Sequence, residues 1–175
     1  MNYSESHAKR LSRHTVNATG RKYLDHLIEN CHFSELGPLY QRIFKSDKRL
    51  WESEIGRLIK LRQIDAIALY LPLGPEKSQI KLESYLYEAV LIEVLERNED
   101  LFLKLIRSWP IQIYDLDKIR VATLQQLLGK NRISNQDNPQ TKRALATIYS
   151  YQKSYDNAMK LYLDLGHKDV FQLIR

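Results

Sequence analysis

The sequence predicts an all-α protein, an α-solenoid of stacked helical hairpins. Three observations lead there. Six glycines and five prolines in 175 residues leave little turn material. Leu, Ile, Glu, Lys, Arg and Gln recur with the helical period of about 3.6 residues. Near the carboxy terminus Ala146, Tyr149, Tyr155, Ala158 and Tyr162 are spaced as in two antiparallel helices that press small residues together and fill the remaining space with rings. A hairpin of this tetratricopeptide-like kind leaves an apolar face uncovered, which stacking against neighbours in a row would bury.

Each element has its own signal. Residues 1–18 are polar and aperiodic, and are expected to be a disordered or appended leader; the fold, a single solenoid segment over 19–175, begins near Thr19 or Gly20. Tyr23, Leu24, Leu27 and Ile28 form a first helical stripe, ended by Asn30 and Cys31. Leu36, Leu39, Tyr40, Ile43 and Phe44 make a second, in which Pro38 is tolerable only within the first turn. Asp47 is a cap for a third helix holding Leu50, Trp51, Ile55, Leu58 and Ile59, and Ile64, Ile67, Ala68 and Leu71 predict a shorter helical partner.

Leu71-Pro72-Leu73-Gly74-Pro75 breaks the pattern. A long helix is expected from Gln79 through Leu82, Leu86, Val90, Ile92 and Leu95, followed by one with Leu101, Phe102, Leu105 and Ile106 that Trp109-Pro110 stops. Asp115 can cap a helix of Leu116, Ile119, Ala122, Leu124, Leu127 and Leu128, with Gly129 at its end and a loop from Lys130 to Asn138. Asn138-Pro139 is a cap followed by a first-turn proline, opening the helix of Ala146 and Tyr149. Ser154 or Asp156 starts its partner, and a final helix is expected over roughly His167 to Ile174.

The hairpins share a register. Aligning Phe33, Ile64, Glu99 and Tyr155 places Leu36, Ile67, Phe102 and Ala158 together, and then Tyr40, Leu71, Ile106 and Tyr162. The separations are unequal, and an odd helix precedes the last hairpin. The same spacing also suits a globular bundle.

Charge and chemistry exclude more than they suggest. The net charge is +6, and Lys9, Arg10, Arg13, Arg21 and Lys22 face only Glu5 near the amino terminus, which reads as a solvated end rather than a nucleic-acid arm. No aromatic-plus-basic platform for nucleic acid is present. A single Cys31 permits no internal disulfide; no signal peptide or apolar stretch of about 20 residues is seen, so the chain reads as cytoplasmic, with any membrane role peripheral. His7, His14, His26, His32 and His167 lack paired metal-ligand spacing, Cys31 lacks a nucleophile signature, and the glycines are scattered singly. Glu52 and Glu54 fall on different helix faces and read as solvated. No catalytic residue, cofactor or metal site is predicted. Tyr149, Tyr155 and Tyr162 are expected in the core, and Tyr85 and Tyr114 on a groove wall.

Leu69-Tyr70-Leu71-Pro72, the stretch Leu105 to Pro110, and above all Ala144 to Tyr149 continuing to His167-Lys168-Asp169-Val170-Phe171-Gln172-Leu173-Ile174 resemble the vacuolar protein sorting-associated protein 41 family, in consistent order from about Tyr23 to Arg175. The resemblance implies a clathrin-heavy-chain-like α-solenoid segment of a subunit of the HOPS membrane-tethering complex. It implies a non-enzymatic scaffold in transport between endosomes or adaptor-coated carriers and the vacuole or lysosome. Its partners would be the other HOPS subunits and flanking parts of a longer chain, with self-association as a further possibility and the late endosome, vacuole or lysosome membrane reached only through the complex.

Members of that family are longer, with a β-propeller and a RING-type zinc domain that are not visible in this sequence. The ends of such a segment should bear apolar residues that a neighbour covers, and Phe171 and Ile174 are the candidate partner-facing end. Two other readings carry their own signatures. A general repeat adaptor gripping a peptide or helix would show a run of Asn, Lys or Arg along the first helices. An α-helical enzyme would show convergent buried carboxylates or histidines.

Overall fold

The computed structural model describes residues 19–30, 35–44, 47–74, 80–133 and 138–166, with side chains omitted at 130–133. Within them the chain is predominantly helical: α1 (19–29), α2 (Leu36–Phe44), α3 (Lys48–Lys60), α4 (Ser84–Arg97), α5 (Glu99–Ser108), α6 (Leu116–Ile133), α7 (Pro139–Tyr151) and α8 (Tyr155–Asp164). One isolated antiparallel bridge, Leu73 to Lys81, is the extended pairing among the described residues. The expected leader over 1–18, Cys31, His32 and the final helix from His167 lie outside them.

The caps follow from local chemistry. Asp47 accepts from the backbone N–H of Leu50 at 3.2 Å, and Asp115 accepts from those of Asp117 and Lys118 at 3.0 and 3.2 Å, satisfying donors that a helix start leaves free. Asn98 does the same for Leu101 at 3.0 Å. Pro38 falls in the first turn of α2 and Pro139 opens α7. Asn138 precedes Pro139 without capping through its side chain, and its buried amide nitrogen has no partner. The helical ends after Lys60 and Tyr151 are closed by the same turn. Gln63 donates back to Leu58 and Ser154 to Tyr149, with Arg62 (φ 56°) and Lys153 (φ 59°) in the left-handed conformation usually given to glycine.

Three element boundaries differ from expectation. The segment from Ile64 to Leu71 forms two 3-10 turns, Ile64–Ala66 and Ala68–Tyr70, rather than an α-helix. The two turns meet at Ile67, whose φ of −118° departs from a regular α-helix, and Leu71 before Pro72 is extended, as a residue before proline is pushed out of the helical region. Residues i and i+3 eclipse in a 3-10 turn, so Ile64 and Ile67 still share one fully buried face. Next, α4 starts at Ser84 instead of Gln79, because residues 80–83 are held extended by the Leu73–Lys81 bridge and by Gly74 donating to the Ile80 carbonyl at 3.0 Å. Finally, α6 runs through Gly129 to Ile133, with Gly129 outside the positive-φ region a helix-ending glycine requires.

The packing is that of stacked hairpins. α4 lies against α3, α5 and α6, while α7 lies against α5, α6 and α8. One continuous apolar core runs from Leu24 to Ile148, and Ala146, Ala158 and Tyr162, with Tyr149 and Leu161, form a smaller one inside the last hairpin. The aligned positions Leu36, Ile67, Phe102 and Ala158 are all fully buried, as are Tyr40, Leu71, Ile106 and Tyr162 to within a few per cent. Tyr40, Phe44 and Trp51 meet in edge-to-face and tilted contacts at 4.9 to 6.0 Å between centroids, joining the first hairpin to the second. Tyr87 latches the connection after Pro72: its hydroxyl donates to the Pro72 carbonyl and accepts from the Leu82 N–H, and its ring stands edge-on to Trp109.

Candidate functional site

The polar centre of the molecule is Glu54, expected on a solvated face and found 1% exposed. One oxygen accepts from Arg21 of α1 at 2.7 Å; the other accepts from the Tyr40 hydroxyl of α2 at 3.0 Å and lies 3.5 Å from Arg57. Arg57 in turn donates to Asp25. Arg21 therefore belongs to a clamp binding three helices rather than to a free basic arm. Burial, and then the Glu54 charge, push the Tyr40 hydroxyl well above the ordinary tyrosine range, so it stays a donor. Every oxygen of Glu54 is engaged, and the chemistry available is cohesion between helices.

A second buried carboxylate works similarly. Glu88 of α4 accepts from the Asp115 N–H and from Lys118, both at 3.1 Å, tying α4 to the start of α6. At the surface Lys48 donates to Glu83, raising the lysine and lowering the carboxyl, while Lys142 reaches Asp164 at 2.8 Å across the last hairpin.

The other sequence candidates divide. Tyr162 is buried and Tyr149 packs beside it, whereas Tyr155 is 56% exposed and not core. Tyr85 is exposed as expected, but Tyr114 is buried, with burial raising its hydroxyl. His26 lies at the surface with Asn30 against its ring; among the described residues no group of three or more His, Cys, Asp or Glu is placed to hold a metal. No helix there is long and apolar enough to cross a membrane. Phe171 and Ile174 lie outside the described residues.

One surface was missed by the sequence reading. On α8, Tyr155, Met159 and Leu163 follow one another at four-residue steps and are 48% to 56% exposed. They adjoin Ala158, Leu161 and Tyr162, which face α7, so half of a continuous apolar arc on this helix is uncovered. The four-residue spacing was its signal.

Helical hairpins stacked side by side, with interlocking small and aromatic residues and an apolar end face, define a tetratricopeptide-like solenoid segment. The chain matches the Vps41 TPR-like region over residues 18–175, and it belongs to that family. It is 34% identical over 171 residues to the vacuolar protein sorting-associated protein 41 homolog of Homo sapiens, which covers 98% of this chain and 19% of the relative. It is 32% identical over 166 residues to that of Danio rerio, covering 95% and 18%. Against vacuolar protein sorting-associated protein 41 of Schizosaccharomyces pombe it is 26% identical over 159 residues, covering 91% and 17%. The chain thus spans under a fifth of the length of these curated relatives. No solved structure matches it.

Proposed function

We propose that this chain is a non-enzymatic scaffold and protein-interaction segment of a HOPS membrane-tethering subunit, acting in transport and fusion of endosomes or adaptor-coated carriers with the vacuole or lysosome. The observation that carries the reading is the match to the Vps41 TPR-like region across nearly the whole chain. The vacuolar protein sorting names of its relatives and the stacked-hairpin fold support it.

In this reading the row of hairpins is a semi-rigid spacer and docking surface. Its stiffness comes from the contiguous core and the Glu54 and Glu88 clamps, which fix the angle between successive units. The partners are the other HOPS subunits and flanking parts of a longer chain. Work takes place in the cytoplasm and peripherally on late endosome, vacuole or lysosome membranes, reached through the complex. Residues 19–175 act as one segment behind a leader of 1–18, and Phe171 and Ile174 are apolar residues at the carboxy-terminal end that need a packing surface.

Pull-down of the purified chain against each of the other HOPS subunits tests the reading. Capture by at least one, lost when the stacking is disrupted, is the expected result. Capture by none overturns the docking role.

A further inference from the structure

Helices α1, α3 and α4 lie side by side and point the same way. Arg21 and Asp25 of α1 meet Glu54 and Arg57 of α3, while Lys48 at the start of α3 meets Glu83 just before α4, and Arg97 at the end of α4 donates to the Arg62 carbonyl just after α3. Their buried faces correspond as well: Trp51, Ile55 and Leu58 of α3 answer to Tyr87, Leu91 and Val94 of α4, and none of the six is more than 1% exposed. The face of α3 turned away from that core carries Arg49, Ser53, Gly56 and Lys60, and the matching face of α4 carries Tyr85, Ala89, Ile92 and Glu96.

On α3 this face is a cationic hollow. Arg49, Ser53 and Lys60 are exposed, and an open depression of about 590 Å³ is lined by Glu52, Ser53, Gly56, Arg57, Lys60 and Leu61. The carboxylates of the helix are engaged elsewhere, Glu54 inside the clamp and Glu52 at 3.9 Å from Lys48. Among the described residues the ion pairs of α3 involve Lys48, Glu52, Glu54 and Arg57, and none reaches Arg49 or Lys60. Gly56 stands in the middle of the helix, where glycine weakens it, and nothing in the chain lies within 4 Å of the place its Cβ would take. Packing inside the molecule accounts for Gly37, which the Tyr70 ring crowds, but not for Gly56; a close approach from outside does. Beside the hollow, Tyr85 and Ile92 are 60% and 40% exposed and form an apolar flank.

We propose that this face of α3 and α4 is the docking site for an acidic amphipathic segment of a partner protein, with carboxylates on Arg49 and Lys60, its backbone close against Gly56 and its apolar side on Tyr85 and Ile92. The proposal rests on the scaffold reading above and names a surface for it and the chemistry of what it receives. At about 1.5 Å per residue Arg49 and Lys60 stand about 16 Å apart along α3, within reach of one segment of about a dozen residues. Glu52 and Leu61 within the hollow suit a peptide of mixed polarity better than an anionic lipid surface, which a protruding patch free of carboxylates would attract.

Selection of a random twelve-residue peptide library on the immobilised full chain supplies the probe. The recovered peptides should be enriched in Asp and Glu interleaved with apolar residues. Their affinity, read by fluorescence anisotropy, should fall about tenfold when Arg49→Glu is combined with Lys60→Glu, and also in Gly56→Leu, which fills the hollow without changing its charge. Because neither Arg49 nor Lys60 holds another part of the described chain, the double variant should keep the wild-type melting temperature. Lys104→Glu combined with Lys160→Glu makes the same charge change at exposed positions of α5 and α8 and should leave affinity unaltered, while added salt should weaken binding to the wild type. Peptides without acidic enrichment, or equal losses in the two double variants, overturn the proposal. Cosedimentation with phosphatidylcholine and phosphatidylserine vesicles that depends on Arg49 and Lys60, in place of peptide binding, overturns it too and assigns the face to a membrane. No tether subunit takes part, so failure here is distinct from failure of the pull-down.

Discussion

Removing the Glu54 carboxylate tests the idea that a buried clamp sets the stacking of the first two hairpins. In Glu54→Ala the Tyr40 hydroxyl, fully buried, loses its acceptor at 3.0 Å. A lost hydrogen bond to a charged group is worth about 1.5–3 kcal/mol, and the stranded hydroxyl is the reason the figure does not fall to the neutral-pair value. The Arg21 side chain is 41% exposed, so its ion pair is screened by water and adds only about 0–1 kcal/mol. The sum is about 3 kcal/mol, which for a chain of this size lowers Tm by roughly 6–12 °C. Glu54→Gln, keeping an acceptor for Tyr40, should cost only about 1 kcal/mol.

Urea denaturation followed by circular dichroism provides the assay, with the midpoint moving and the slope unchanged. Adding Tyr40→Phe isolates the cause. Its own cost should largely vanish in the Glu54→Ala background, a coupling of about 1–2 kcal/mol. A loss below about 0.5 kcal/mol for Glu54→Ala, the size of an ordinary surface substitution, would refute the reasoning.

Four further outcomes are expected. Gly37→Ala should destabilise by about 1–2 kcal/mol, since the added Cβ meets the Tyr70 ring and overpacking outweighs the helix-propensity gain. Gly56→Ala, with nothing within 4 Å, should stabilise by about 0.5–1 kcal/mol, and thermal melts that rank the two the other way would contradict the packing. Lys153→Gly should gain about 0.5 kcal/mol by relieving a left-handed φ of 59°, whereas a measured loss would mean the turn after α7 is not strained. Burial raises the hydroxyls of Tyr40, Tyr87, Tyr114 and Tyr151 above the ordinary value of 10.0. The folded chain therefore keeps protons that the unfolded chain releases, so this stability is complete below about pH 10 and declines as pH rises beyond it. Phenolate absorbance should reach its full amplitude only as helicity is lost, and complete ionisation near pH 10 with the helices intact would contradict it.

Helix positions and the shared buried register were legible in the residues because they depend on local periodicity. Leu36, Phe102 and Ala158 bury where a 3.6-residue stripe puts them, and Asp47 and Asp115 cap from within three residues of the groups they satisfy. The family, too, was readable from short words of sequence. The Ile64 to Leu71 segment shows the limit of that reading: its apolar spacing correctly marked the buried face, but the same spacing serves 3-10 turns, and the backbone breaks at Ile67 and turns extended before Pro72.

What tertiary structure alone decided is which polar groups go inside and which rings stay out. Glu54 is buried because Arg21 and Tyr40, 33 and 14 residues away, converge on it. Nothing in Trp51 to Arg57 announces those partners. Tyr114 and Tyr155 exchange their expected places for the same reason. A tyrosine suits either side of a surface, and only the arrangement of neighbouring helices covers Tyr114 and leaves Tyr155 open. Periodicity is a property of a dozen neighbouring residues, whereas desolvation is a property of whatever distant chain arrives, and that is known only when the hairpins have stacked.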